Sequence, residues 1–184
     1  STAGVHAVLT AADVPGKNAF GVIPAFQDQP VFAEKEARFR GEAVAAVIGT
    51  ATAMACFDET GFPVTWEERQ AVSQVAQALM TTAPQLHADH PKNVMCGGFV
   101  ARGDAQSGLI GAEVVVEGLF ETGFVEHGYI EPEAGFAECV EGRIEVHACT
   151  QAPVMDLESL AAILGCDQRK IRIRPTAVGG GFGS

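Results

Sequence analysis

Basic residues are scarce in this chain: 12 Lys and Arg stand against 23 Asp and Glu in 184 residues, a formal net charge of −11. Binding a nucleic-acid backbone needs clustered Lys and Arg, and the few here are scattered, so a nucleic-acid partner is excluded. Acidity beyond that speaks mainly to solubility. Cysteines number five, Cys56, Cys96, Cys139, Cys149 and Cys166, odd in count and without a CxxC pair. A disulfide scaffold and a four-cysteine metal or iron–sulfur site both fit this poorly, and buried reduced thiols are expected instead. No apolar run approaches the roughly 20 residues needed to cross a bilayer. The first residues, Ser-Thr-Ala-Gly, lack the basic then apolar layout of a signal peptide. A soluble, cytoplasmic protein with no membrane partner is therefore expected, and no internal repeat or low-complexity tract suggests otherwise.

What is present is the composition of a core-forming protein: 47% hydrophobic residues and a mean hydropathy of +0.16, in a length that suits one domain or two small ones. Residues 5–10 read as a strand, and residues 11–30 as turn-rich chain around Pro15-Gly16 and Pro24. The continuous apolar run 43–48 predicts a strand buried on both faces, closed by Gly49. Thr50 is placed to cap a short helix over 51–57, and Gly61-Phe62-Pro63 leads into a half-buried strand at 64–67. Helical spacing of Val72, Val75, Ala76 and Leu79 predicts a helix over 71–80. Residues 81–93, with two prolines and two histidines, read as a linker, so the chain divides into 1–80, the linker and 94–184. The last part is strand-rich: strands are predicted at 113–122, 134–139 and 144–148, the latter two joined by a tight turn at Glu141-Gly142. A short helix over 158–164, capped by Asp156 and ended by Gly165, precedes a final strand at 171–174. The fold class is α+β.

That final strand runs into Val178-Gly179-Gly180-Gly181-Phe182-Gly183-Ser184. Glycines without Cβ atoms let a backbone approach a ligand closely, and converging amides suit anionic or strongly dipolar oxygens. Taken alone, this loop fits a phosphate or nucleotide site as well as a metal-centred one.

Several landmarks occur in a characteristic order. They are Gly41-Glu42-Ala43-Val44-Ala45-Ala46-Val47, Val64-Thr65-Trp66-Glu67-Glu68, Val116-Glu117-Gly118, His127-Gly128-Tyr129-Ile130-Glu131-Pro132-Glu133-Ala134, Thr150-Gln151-Ala152-Pro153 and the terminal glycine loop. The ordered set resembles the molybdenum-binding subunit of the xanthine dehydrogenase and aldehyde oxidase family. The resemblance covers nearly the whole chain. It implies an α/β-hammerhead domain to about Gln70, followed after the linker by the opening of a mixed α/β molybdenum-cofactor-binding domain. It also implies oxidative hydroxylation of an aldehyde or purine-like N-heterocycle with water as oxygen source. The implied cofactor is a molybdenum–pyranopterin, as molybdopterin cytosine dinucleotide. [2Fe-2S] clusters and FAD are expected on partner domains or subunits, together with the remainder of the molybdenum subunit and a small-molecule substrate.

Carried over residue by residue, Gln151 resembles the glutamine whose amide hydrogen-bonds an oxo ligand of the metal. Gly180, Gly181, Phe182 and Gly183 resemble the loop that brings backbone amides and an aromatic face to the metal ligands. No residue here matches a protein ligand to the metal or the family's general-base glutamate, so no catalytic residue is assigned and the chain alone is expected to be inactive. A family lysine that follows the loop has no counterpart, and the chain is read as a fragment, a proteolysed piece or one part of a split subunit. The competing reading is a non-catalytic assembly module.

Other candidates favour structural roles. Glu126, Glu131 and Glu133 could form an acid/base pair, but in so acidic a chain Glu131 is expected to brace the site by bonding nearby backbone. His127 is read as a partly buried strand histidine rather than a ligand. His87 and His90 have the spacing of a helical metal pair, yet lie between Pro84 and Pro91, where a helix is disfavoured.

Overall fold

A computed structural model gives the architecture of the protein and describes residues 3–182. The contacts group the chain into two compact units, residues 1–62 with 126–184, and residues 63–125.

In the first unit, β1 (Val5–Leu9) pairs antiparallel with β2 (Ala46–Gly49) in a two-stranded sheet. The run expected to be buried on both faces is only partly a strand. Pairing starts at Ala46, and Ile48 is 44% exposed, because a sheet of a single strand pair leaves part of its surface uncovered. Thr50 caps α1 (Ala51–Ala55) as predicted: its hydroxyl accepts from the Ala53 amide at 3.2 Å. The helix stops at Ala55, two residues short of expectation.

A second sheet in the same unit has the order β3 (Gly135–Val140), β4 (Arg143–Ala148), β5 (Ile171–Pro175). Strands β3 and β4 form the predicted hairpin, and Glu141 (φ 50°) and Gly142 (φ 78°) both take left-handed conformations. That is the geometry of a two-residue turn whose twist matches the strands it joins. Strands β4 and β5 are parallel, so the chain must cross over between them. It does so through α4 (Pro153–Leu164), whose Ala161 and the β5 residue Ile171 are the buried apolar centre, at 6% and 5% exposure.

Helix α4 begins earlier than the sequence suggested. Ala152 is its cap residue and Pro153 occupies the first turn, where its fixed φ is already helical and its missing N–H costs nothing. Asp156 is therefore inside the first turn, and its carboxylate accepts the Thr150 hydroxyl hydrogen. Gly165 ends the helix at φ 60°, as predicted. The carbonyls of Ile163 and Ala162 accept from the amides of Gly16 and Lys17 at 2.8 and 2.9 Å, which satisfies groups a helix end leaves open.

The second unit is poorer in regular structure. It holds α2 (Val75–Ala78) and α3 (Ala105–Ile110), the latter capped by the Asp104 carboxylate accepting from the Ser107 amide at 3.0 Å. The helix expected over 71–80 shrinks to α2 because the Gln77 side chain holds the preceding turn in another shape. Its amide donates to the Ala71 carbonyl at 2.9 Å, and its oxygen accepts from the Ser73 N–H at 3.2 Å. The strands expected at 64–67 and 113–122 are not formed. Among the described residues no strand pairs with either, and Trp66 and Phe120 are 61% and 93% exposed. Alternation marks a segment able to lie in a sheet, but a strand exists only where a neighbour accepts its backbone hydrogen bonds. Residues 81–93 are ordered by Asn93, whose side chain accepts from the Leu86 amide and donates to the carbonyls of Ala78 and Pro84.

The thiols also differ from expectation. Cys56, Cys96 and Cys139 are exposed, Cys149 and Cys166 are half-buried, and all are free. Among the described residues no helix is long and apolar enough to cross a membrane.

Candidate functional site

The glycine loop lies against the segment 127–131, with Glu131, Tyr129 and His127 meeting Gly179, Gly180 and Phe182. The Ile130 amide donates to the Gly179 carbonyl at 3.3 Å. A Cβ on Gly179 would lie 2.6 Å from the Glu131 amide nitrogen, and one on Gly180 would lie 2.7 Å from the Tyr129 Cβ. Both distances are closer than real Cβ contacts allow, so only glycine fits this seam. Further along, a Cβ on Gly181 would lie 2.9 Å from Oε1 of Gln151. The ring of Phe182 stacks on His127, with centroids 5.1 Å apart and planes at 27°. Gly128, at φ 63°, turns the chain between His127 and Tyr129, so these contacts come from a bent segment and not from a strand.

Of the predicted site residues, Gln151, Gly180, Gly181 and Phe182 therefore gather in one place, and Gly183 lies outside the described residues. Gln151 reaches the loop because it immediately precedes the Ala152–Pro153 entry to α4 and follows β4, the central strand of the sheet. The Thr150 hydroxyl accepts from the Ala152 amide at 2.9 Å while donating to Asp156, which fixes the backbone on either side of Gln151.

Two residues behave differently from expectation. His127 is exposed and outside regular structure, a stacking platform rather than a half-buried strand residue. Glu131 does not brace backbone with its carboxylate. The backbone bond to the loop is made by Ile130, whereas Oε2 of Glu131 is shielded from solvent and has no hydrogen-bond partner. Tyr129 was overlooked at the sequence level, because its neighbours in the loop lie about 50 positions away in the chain. Its hydroxyl donates to the Glu133 carboxylate at 2.8 Å, and this acceptor raises the phenol pKa.

The three-stranded sheet carries a second polar constellation. Register places Glu138 opposite Glu145 and Phe136 opposite His147, with Arg172 and Arg174 beyond them on β5. Phe136 and His147 stack at 4.5 Å. Glu145 is 6% exposed, with Arg174 hydrogen-bonded to one oxygen and Arg172 3.6 Å from the other. The Arg174 hydrogen bond, followed by the charges of Arg174 and Arg172, lowers the Glu145 pKa against a desolvation that raises it. Glu138, Glu145 and His147 bring three potential metal-ligand atoms within 4.8 Å of one another. With two guanidinium groups already on Glu145, the cluster is better balanced as an ion-pair ladder than as a cation site.

The glycine seam and Gln151 fit a pterin-held metal. A centre anchored by its own organic ligand needs no protein Cys or His, only close backbone and a neutral amide able to donate to an oxygen. Both are here, in a cradle that a Cβ at Gly181 would fill.

Comparison with known proteins gives matches along most of the chain. Residues 86–184 match the family described as the molybdopterin cofactor-binding domain. Residues 1–70 match the a/b hammerhead domain of aldehyde oxidase and xanthine dehydrogenase. The chain is 34% identical to a probable xanthine dehydrogenase subunit of Bacillus subtilis, over 98% of its length and 24% of that protein. It is 31% identical to the nicotinate dehydrogenase large molybdopterin subunit of Eubacterium barkeri, over 98% of its length and 42% of that protein. Among solved structures it resembles the aldehyde oxidoreductase of Desulfovibrio gigas, with a TM-score of 0.82, 27% identity, and coverage of 98% of this chain and 21% of that one. The chain thus spans under half the length of each of these proteins.

Proposed function

The chain belongs to the molybdopterin-binding xanthine dehydrogenase and aldehyde oxidase family, and we propose that it forms one wall of the molybdenum site in a hydroxylase of an aldehyde or N-heterocycle. The observation that carries this reading is the contact of the glycine loop with Gln151, in a chain whose two halves match the hammerhead and cofactor-binding domains. We divide it into a hammerhead domain at 1–80, a linker at 81–93 and the first part of the cofactor domain at 94–184.

When bound, a molybdenum–pyranopterin cofactor, here proposed as the cytosine dinucleotide form, supplies the redox centre through which a substrate C–H and water become C–OH with release of an electron pair and protons. Everything else assigned to this chain is positioning. Gln151 orients by hydrogen bonding through a neutral side chain, which adds no charge to a site whose electrons must leave. Gly180, Gly181 and Gly183 give backbone approach, and preorganised amides cost no reorganisation when charge develops on a nearby oxygen. Phe182, seated on His127, presents an aromatic face that excludes water from one side of the site. No carboxylate of the chain is placed here as the proton acceptor for the reaction, so the base comes from other polypeptide. The remainder of the molybdenum subunit, together with [2Fe-2S] and FAD carriers, completes the proposed cytoplasmic assembly.

Metal and pterin analysis of the complex purified from its source tests the proposal. Stoichiometric molybdenum with pterin is expected, and its absence would leave an assembly module. Turnover by the isolated 184-residue chain after cofactor reconstitution would contradict the assignment of the base elsewhere.

A further inference from the structure

At Gln151 the chain passes from strand to helix, and the two sides of the break are held differently. On the strand side, the Ala148 carbonyl accepts from the Thr176 amide at 3.0 Å, and the Cys149 amide donates to the Ala134 carbonyl at 3.4 Å. On the helix side, the Asp156 amide donates to the Ala152 carbonyl at 3.1 Å, the first bond of α4. The gap is spanned by two half-buried side chains. The Thr150 hydroxyl donates to Oδ2 of Asp156 and accepts from the Ala152 amide at 2.9 Å. An acidic residue in a first turn ordinarily complements the helix N-terminus. Asp156 instead reaches back past the cap residue Ala152, which has no side-chain cap bond of its own, to a residue that precedes the helix.

We infer that Asp156 is a positioning residue for Gln151: through the Thr150 hydroxyl it fixes the peptide units that flank Gln151, and with them the direction in which the Gln151 amide meets the glycine loop. The inference rests on the reading of Gln151 as the residue that orients the molybdenum centre. A hydroxyl has one hydrogen and two lone pairs, and it rotates unless a partner holds it. Asp156 takes the hydrogen, which leaves a lone pair aimed at the Ala152 N–H. A hydrogen bond to a carboxylate is also shorter and stronger than one between neutral groups, so this link sets the geometry rather than following it. Without it, the residues between the last strand bond and the first helix bond keep two soft dihedrals each. Direction matters at this point because Oε1 of Gln151 would lie only 2.9 Å from a Cβ on Gly181. A modest turn of the backbone at 150–152 would carry the amide away from the loop.

The test uses the full-length subunit in its native complex. Asp156→Ala, Asp156→Asn, Thr150→Val and Gln151→Ala are compared by the electron paramagnetic resonance spectrum of the partly reduced molybdenum, by kcat and KM separately, and by hydrogen exchange of a peptide spanning 149–153. Asp156→Ala and Thr150→Val should each perturb the spectrum in the manner of Gln151→Ala and lower kcat about 10-fold with KM little changed. The Ala152 amide should exchange at least several-fold faster in both. Asp156→Asn, whose side-chain carbonyl still accepts from Thr150, should stay closer to wild type throughout. In a Gln151→Ala background, Asp156→Ala should alter the spectrum no further. An unaltered spectrum in Asp156→Ala, an Asn variant as perturbed as the Ala variant, or a further change on top of Gln151→Ala overturns the inference. If Asp156→Ala prevents assembly, Thr150→Val and Asp156→Asn carry the same decision. A complex without molybdenum, or an unaltered spectrum in Gln151→Ala, removes the functional reading alone. Asp156 is then judged by exchange, and unchanged protection of the Ala152 amide in Asp156→Ala overturns its role.

Discussion

His127 stacks on Phe182 at a centroid distance of 5.1 Å, joining a residue before β3 to the glycine loop 55 positions later in the chain. An aromatic pair of this kind contributes about 0.5–1.5 kcal/mol beyond the area it buries. Replacing His127 by Ala in the full-length enzyme is therefore expected to lower kcat about 2- to 10-fold through a loosened loop. His127→Phe should restore it, since a second aromatic ring provides the same seat. Steady-state kinetics with molybdenum content as the loading control checks this; equal rates for all three proteins would show that the stack does not hold the loop.

Glycine substitutions should rank by what the new Cβ meets. At Gly179 and Gly180 it meets the Glu131 amide nitrogen at 2.6 Å and the Tyr129 Cβ at 2.7 Å, neither of which can move without the chain. At Gly181 it meets Oε1 of Gln151 at 2.9 Å, the tip of a flexible side chain. Gly179→Ala and Gly180→Ala should each destabilise by about 1–3 kcal/mol in thermal or denaturant unfolding. Gly181→Ala should cost less stability and instead impair function by displacing Gln151.

Gln151 itself separates stability from chemistry. It is exposed in this chain, so Gln151→Ala should leave the unfolding midpoint nearly unchanged. In the complete enzyme, loss of a residue that orients a metal centre typically costs about 10–100-fold in activity or metal affinity. Parallel melting curves and assays of the same preparation measure both; a large fall in melting temperature would assign Gln151 a structural role.

Glu145 predicts a pH dependence of stability. Its folded-state pKa is lowered by the Arg174 hydrogen bond and then by the charges of Arg174 and Arg172. A lowered carboxyl pKa contributes stability that is fully present above the unfolded value, near 4.5, and is lost as pH falls through the lower folded value. Glu145→Gln should thus flatten the acid limb of a plot of urea midpoint against pH, and should be destabilising at neutral pH because it leaves Arg174 without its anion. An unchanged acid limb would place the acid sensitivity in other carboxylates, such as Asp167, which its Arg169 hydrogen bonds likewise hold low.

Sequence alone determined the features governed by neighbours a few residues apart. The Glu141-Gly142 turn, the Thr50 cap and the Gly165 terminus follow from backbone preferences and short-range hydrogen bonds that need no knowledge of the rest of the chain. The ordered landmarks also led to the family and to Gln151 with the glycine loop. Tertiary structure alone decided what depends on distant partners. The segments 64–67 and 113–122 have the alternation of strands, yet remain unpaired among the described residues because a ladder requires a second strand that local pattern cannot supply. Parallel pairing of β4 with β5 puts Glu145 between Arg172 and Arg174, and only that pairing makes a carboxylate buried and ionised at once. The glycine seam is of the same kind: Gly179 and Gly180 are required by atoms of Glu131 and Tyr129, about 50 positions away, and such steric demands exist only after the chain has folded.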